Sequence, residues 1–182
     1  SSAMAKPPTS ETLESTYSSW PLGEVPPELR RPEVEAISRL GYQIDDARDA
    51  VSLFEKEVAS YAGSRYAIAT DSCTNGIALA LAYRGASGSK VSIPARTYVS
   101  IPSQILHANC TLVAREEAWS GLYTLDPLDI LDSAARFTPG MFVGGSALQV
   151  LSFQIKKRVP IGRGGMILTD SAEAYNWLKL AS

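Results

Sequence analysis

The stretch LSFQIKKRVPIGRGG, residues 151–165, decides the fold because it joins two apolar runs. The first run, 148–153, and the second, 166–169, each have the length and composition of a buried strand. Between them lie two adjacent lysines, Lys156 and Lys157, and a turn rich in glycine. The pattern predicts a strand, a basic loop and a return strand.

A lysine on such a loop is placed where Schiff-base chemistry needs one. Two short strands fix its stem, and the neighbouring cations Lys156 and Arg158 favour a neutral amine on Lys157. The alternative interpretation is a solvated basic loop, with Gly162, Gly164 and Gly165 serving only as turn residues.

Composition excludes several classes of protein. The 182 residues are 45% hydrophobic and 20% charged with a net charge of -2, as in a soluble domain without a nucleic-acid or anionic-membrane surface. The single His107 excludes a site built from several histidines, and we expect no metal. Cys73 and Cys110 form no ligand or disulfide pattern, so a reducing cytoplasm is the expected location. No apolar run approaches roughly 18 residues, so no membrane span is expected.

A strand, a small polar turn and a helix follow one another after Arg65. The apolar run 66–70 predicts a strand, and the helix pattern begins after the turn DSCTNG, residues 71–76. Free N–H groups at a helix start bind phosphate, and Ser72 and Thr74 add hydroxyl donors. Ordinary capping of the helix by one of these side chains is the alternative.

Strands and helices alternate through 111–114, which predicts an α/β fold with a mainly parallel sheet flanked by helices. Ligands bind such sheets beyond the carboxyl ends of the strands. Asp132, after the predicted strand 128–131, lies at one of these ends, although it could instead cap a small helix. The stretch 115–124 has little periodicity and is predicted to be a loop. Residues 1–30 are predicted to form an N-terminal arm, and 31–182 one domain.

Five pieces of the chain resemble the sugar aminotransferases of the DegT/StrS type, which depend on pyridoxal phosphate and share the aspartate-aminotransferase fold (fold type I). In the family's order these are Phe54 and Glu55 with Ala59 and Gly63; 66–69 with Ser72, Cys73 and Thr74; Ile93 and Pro94 with Thr97 and Tyr98; Asp132, Ser133 and Ala134; and Ser152, Phe153 and Lys157 with 162–165. The resemblance implies a three-layer αβα large domain that binds pyridoxal 5'-phosphate.

The resemblance also implies a role for each matching residue. Lys157, rather than Lys156, matches the lysine that carries the cofactor as a Schiff base, and Asp132 matches the carboxylate that pairs with the pyridine nitrogen. Tyr98 matches the aromatic residue stacked on the cofactor ring. Three residues match positions that hold the phosphate, namely Cys73 and Thr74 in the turn and Ser152 by its hydroxyl. Ser72 belongs to the same phosphate-binding turn.

Three departures from the family pattern bear on function. Ala135 stands where the family has Gln or His near the phenolic oxygen of the cofactor, and Arg163 stands where many members have Glu. Only residues 115–131 separate the predicted strand 111–114 from Asp132, whereas the family has a further strand–helix unit in this interval. We also expect no C-terminal small domain in this chain.

The expected function is transfer of an amino group from an amino acid such as glutamate to a keto-sugar nucleotide, in a homodimer that binds neither nucleic acid nor membrane. Two alternatives stay open. The chain could bind the cofactor without catalysing a reaction, or act on another amine or nucleotide.

Overall fold

A computed structural model of the chain describes residues 32–44 and 46–182; the predicted arm, 1–30, lies outside them. The chain divides into two compact units, Ser1–Asp49 and Ala50–Ser182. The helices are α1 (Pro32–Arg39), α2 (Ala47–Ala62), α3 (Cys73–Tyr83), α4 (Ser100–His107) and α5 (Ala172–Ala181). The strands are β1 (Tyr66–Thr70), β2 (Lys90–Pro94), β3 (Thr111–Arg115), β4 (Tyr123–Leu125), β5 (Ile130–Asp132), β6 (Leu148–Ser152) and β7 (Gly165–Thr169).

The sheet of the second unit is mixed, which corrects the prediction of a mainly parallel one. Five strands pair in the order β1-β7-β6-β5-β4, and only β5 and β6 pair in parallel. The pairs β1–β7, β6–β7 and β4–β5 are antiparallel. The separate parallel pair β2–β3 meets the end of β4 through one antiparallel bridge, Ser92 with Asp126.

The pairing changes because helices connect only the first three strands. Residues 111–169, all of them described, contain no helix, so loops and turns join the later strands and allow antiparallel neighbours. The pairings nevertheless place β1, β2, β3, β5 and β6 in one direction, with β4 and β7 opposed. The carboxyl ends of five strands therefore lie at one edge, as the site prediction requires.

Helices cover both faces of this sheet, in agreement with the expected three layers. On one face Ile77, Ile105 and Leu178, from α3, α4 and α5, pack in one core with strand residues such as Val150 and Ile167. On the other face α2 contributes Val58 and Ala62 to a second core that includes Leu151 and Met166. The two cores take alternate residues of β6 and β7, as the side-chain period of a strand dictates.

Two further features bear on the predictions. The predicted loop 115–124 ends in a strand, because Tyr123 to Leu125 pair with β5. Among the described residues, no helix has the length and apolar character needed to span a bilayer, and no group of three or more potential metal ligands occurs.

Candidate functional site

A cleft of about 320 Å³ lies at the edge where the strand ends meet. All seven residues predicted to bind the cofactor line it, which are Ser72, Cys73, Thr74, Tyr98, Asp132, Ser152 and Lys157. They come from four separate parts of the chain, so the fold alone brings them together.

The turn from β1 into α3 forms one wall of the cleft. Ser72 has extended backbone and caps the helix, because its hydroxyl accepts a hydrogen bond of 3.1 Å from the Asn75 N–H. The hydroxyl of Thr74 donates to that of Ser100, 2.9 Å away on α4. Capping is therefore observed, and it coexists with a helix start whose first N–H groups are oriented toward the cleft end of the sheet.

The glycine turn after the lysine loop packs directly on the turn from β1 into α3. Gly164 forms a parallel bridge with Ser72. A Cβ on Gly165 would lie 2.6 Å from the backbone nitrogen of Cys73, closer than atoms can approach. Glycine at 165 is thus required by close contact between two backbones, and this contact sets the distance between the lysine loop and α3.

The lysine loop separates its two lysines. The Lys157 N–H donates to the Gln154 carbonyl at 2.9 Å, closing a turn, and Gln154 bridges to Gly162 across the loop. Lys157 is half-buried and lines the cleft, whereas Lys156 is exposed and lies outside the lining. Of the two lysines, Lys157 is therefore the one that lies at the cleft, and its role stays a prediction.

Asp132 is the last residue of β5 and is only 5% exposed. Its Oδ1 accepts a hydrogen bond of 2.8 Å from the Ala134 N–H, and its Oδ2 accepts one of 2.7 Å from the Tyr123 hydroxyl. The alternative that Asp132 caps a helix is wrong, since residues 133–147 are described and form no helix. A buried carboxylate held at both oxygens faces a ligand cleft.

The charges of Asp132 and Lys157 both act on the Cys73 thiol. Burial raises the pKa of the thiol well above its usual range, the charge of Asp132 raises it further, and the charge of Lys157 lowers it. A thiol with a raised pKa stays protonated near neutral pH, so Cys73 is expected to be a poor nucleophile.

The remaining predicted residues border the opening. Tyr98 is 71% exposed, so its ring is available to a planar ligand. The Ser152 hydroxyl lies at the end of β6 and accepts a long hydrogen bond, 3.5 Å, from the Gln154 N–H.

Sequence analysis missed Tyr123 because it lies in a stretch without periodicity. Burial and the nearby charge of Asp132 raise its pKa far above the usual value, so its hydroxyl remains protonated. The signal that would have identified it is pairing with β5, which places Tyr123 directly opposite Asp132. This pairing can be seen only in the tertiary structure.

Residues 29–120 match the model of the DegT/DnrJ/EryC1/StrS aminotransferase family. A comparison with curated proteins found no match.

Several solved structures share the fold. One is 3-amino-5-hydroxybenzoic acid synthase, with 20% identity and a TM-score of 0.64 over 90% of this chain and 53% of the other. DesI, solved in the presence of its TDP-sugar product, has 19% identity and a TM-score of 0.58 over 81% of this chain and 48% of the other. The sugar aminotransferase CalS13 from Micromonospora echinospora has 18% identity and a TM-score of 0.60 over 82% of this chain and 53% of the other. The chain thus spans about half the length of these structures, and the likeness shows the fold.

Proposed function

Because the chain belongs to the DegT/DnrJ/EryC1/StrS aminotransferase family, we propose that it takes part in amino-group transfer with pyridoxal 5'-phosphate, the cofactor of that family. The observation that carries the proposal is a single cleft containing Lys157, the buried carboxylate of Asp132 and the start of α3. The phosphate of the cofactor would bind at the start of α3, its ring nitrogen at Asp132 and its aldehyde at Lys157.

The residues present fit this cofactor. The start of α3 at Cys73 and Thr74, with the hydroxyls of Ser72 and Ser152, would hold the phosphate. Asp132 would hold the pyridine nitrogen, and Tyr98 would cover the ring. When bound, pyridoxal phosphate withdraws electrons from the α-carbon of an amino acid attached to it.

Each residue then has a defined task. The amine of Lys157 would anchor the cofactor, and as a free amine it would take the proton from the substrate α-carbon. Asp132, fixed at both oxygens, would keep a proton on the ring nitrogen by its negative charge.

The proposed substrates are an amino acid such as glutamate as donor and a keto-sugar nucleotide as acceptor. The family resemblance supports a sugar acceptor, as does the similarity to DesI, solved with its TDP-sugar product, and to the sugar aminotransferase CalS13. Arg163, exposed at the cleft, supplies a cation suited to a carboxylate or diphosphate.

Two other functions remain as candidates. A chain that binds the cofactor without turnover would show the same lysine chemistry and no amino transfer. An acceptor other than a sugar is favoured by one comparison, because 3-amino-5-hydroxybenzoic acid synthase has the same fold.

Lys157 should become covalently labelled when the protein is mixed with pyridoxal phosphate and reduced with borohydride. Peptide mapping by mass spectrometry locates the label. Lys157→Arg should abolish labelling in the loop, whereas the matched control Lys156→Arg should leave it intact. A label on Lys156, or none in the loop, would contradict the proposal. If Lys157 is labelled, transfer assays with labelled glutamate separate turnover from cofactor binding alone.

A further inference from the structure

Tyr123 lies behind the cleft and contacts its key carboxylate. It is 4% exposed and stands directly opposite Asp132 in the antiparallel pair β4–β5. Its hydroxyl donates to Oδ2 of Asp132 at 2.7 Å, while the Ala134 N–H donates to Oδ1. A carboxylate held at both oxygens cannot rotate without losing a hydrogen bond.

Burial and the charge of Asp132 raise the pKa of Tyr123. The Tyr123 hydroxyl therefore keeps the single proton that it donates to Oδ2 of Asp132.

Packing holds the Tyr123 ring independently of these hydrogen bonds. The ring of Trp119 packs edge-on against it, with centroids 4.7 Å apart. The Trp119 indole N–H in turn donates to the Arg96 carbonyl at 2.8 Å. Removing only the Tyr123 hydroxyl should therefore leave the ring in place.

We propose that Tyr123 is the positioning residue of the site, which holds Asp132 in the one orientation that serves the pyridine nitrogen. This inference rests on the proposed function and adds a residue to it. The short connection 126–129 brings β4 beside β5 and so places Tyr123 opposite Asp132.

Loss of the hydroxyl has two opposing effects. It leaves more negative charge on Oδ2, which favours a protonated ring nitrogen. It also lets the carboxylate rotate or accept water instead, which weakens the contact. A positioning role means that the second effect dominates.

The test measures the ring nitrogen itself. Pyridoxal phosphate labelled with ¹⁵N at the ring is bound to wild type, Tyr123→Phe and the matched control Tyr83→Phe, and its ¹⁵N shift is followed against pH. Tyr83 is at the far end of α3, packed against Trp177. In Tyr123→Phe the protonation midpoint should fall by about one pH unit and cofactor affinity by roughly 10-fold. The control should stay within about twofold of wild type.

A double-mutant cycle shows whether the effect passes through Asp132. In an Asp132→Asn background, Tyr123→Phe should change cofactor affinity no further. Additive losses, an unchanged midpoint or a raised midpoint in Tyr123→Phe would each overturn the positioning role while wild type still binds cofactor at Lys157. If wild type does not take up cofactor there, the proposed function fails and this inference with it.

A second variant covers the case in which Tyr123→Phe does not fold. Trp119→Ala removes the ring packed edge-on against Tyr123 and leaves the Tyr123 hydroxyl in place, so Tyr123 holds Asp132 less firmly. The protonation midpoint of the ring nitrogen should fall in the same direction by a smaller amount, and an unchanged midpoint would overturn the inference.

Discussion

At the scale of single residues, Asp132 is the side chain on which catalysis should depend most. Asp132→Asn keeps the size of the side chain and an oxygen for the Ala134 N–H, but it removes the charge that holds a proton on the ring nitrogen. Amino transfer should fall by roughly 100- to 1000-fold. Single-turnover conversion of the cofactor by an amino donor measures this.

The matched control is Asp129→Asn, at an exposed turn residue whose left-handed backbone (φ 53°) asparagine tolerates. It should transfer amino groups at the wild-type rate. Equal rates for Asp132→Asn and wild type would make Asp132 structural and would favour the inactive, cofactor-binding candidate.

At the scale of elements, the partly buried ion pair of Glu55 and Lys179 links α2, β1 and α5. The carboxylate of Glu55 accepts hydrogen bonds from the Ala69 N–H at 2.7 Å and from Lys179 Nζ at 2.6 and 2.7 Å. The side chain of Glu55 is 7% exposed and that of Lys179 is 36% exposed. Three elements distant in sequence therefore share one charge network.

Removing the cation should destabilise the fold because it leaves a buried carboxylate with only one donor. A fully buried pair would cost about 3–5 kcal/mol to break. Solvent screening at Lys179 reduces this, so Lys179→Met should lower the free energy of unfolding by about 1–2 kcal/mol. Urea denaturation measures it. The exposed pair Arg39–Glu35 provides the control, since Arg39→Met should cost less than about 0.5 kcal/mol; equal losses in the two variants would contradict the prediction.

At the scale of the whole molecule, we expect a homodimer with the site near the interface. The family resemblance motivates this, and the loops beside the cleft carry exposed apolar side chains, including Val99, Ile155 (70% exposed) and Ile161. A second copy would cover them. Light scattering should give twice the chain mass. Ile155→Lys should shift it toward the monomer, whereas Leu106→Lys, also exposed but on α4, should not. A monomeric wild type with cofactor bound would contradict the expectation.

The sequence determined the elements whose signals are local. The strand 66–70 agrees with its predicted bounds, and the strands 148–152 and 165–169 agree to within one residue, because side-chain periodicity and the residues that end an element lie within the element itself. The predicted site residues came from five short motifs in a known order. Their placement at one edge followed from strand direction, which the alternating pattern predicts.

Tertiary structure decided the pairing of the strands and the surroundings of the carboxylate. The return of β7 beside β6 was predicted, but nothing local indicates that β4 pairs antiparallel with β5 or β1 with β7, so the mixed sheet could not be predicted. Tyr123 lies on a three-residue strand too short to show a period, and its partner Asp132 is chosen by pairing with β5. Hydrogen bonds between side chains depend on which backbones become neighbours, and that is settled only when the whole sheet packs between its helices.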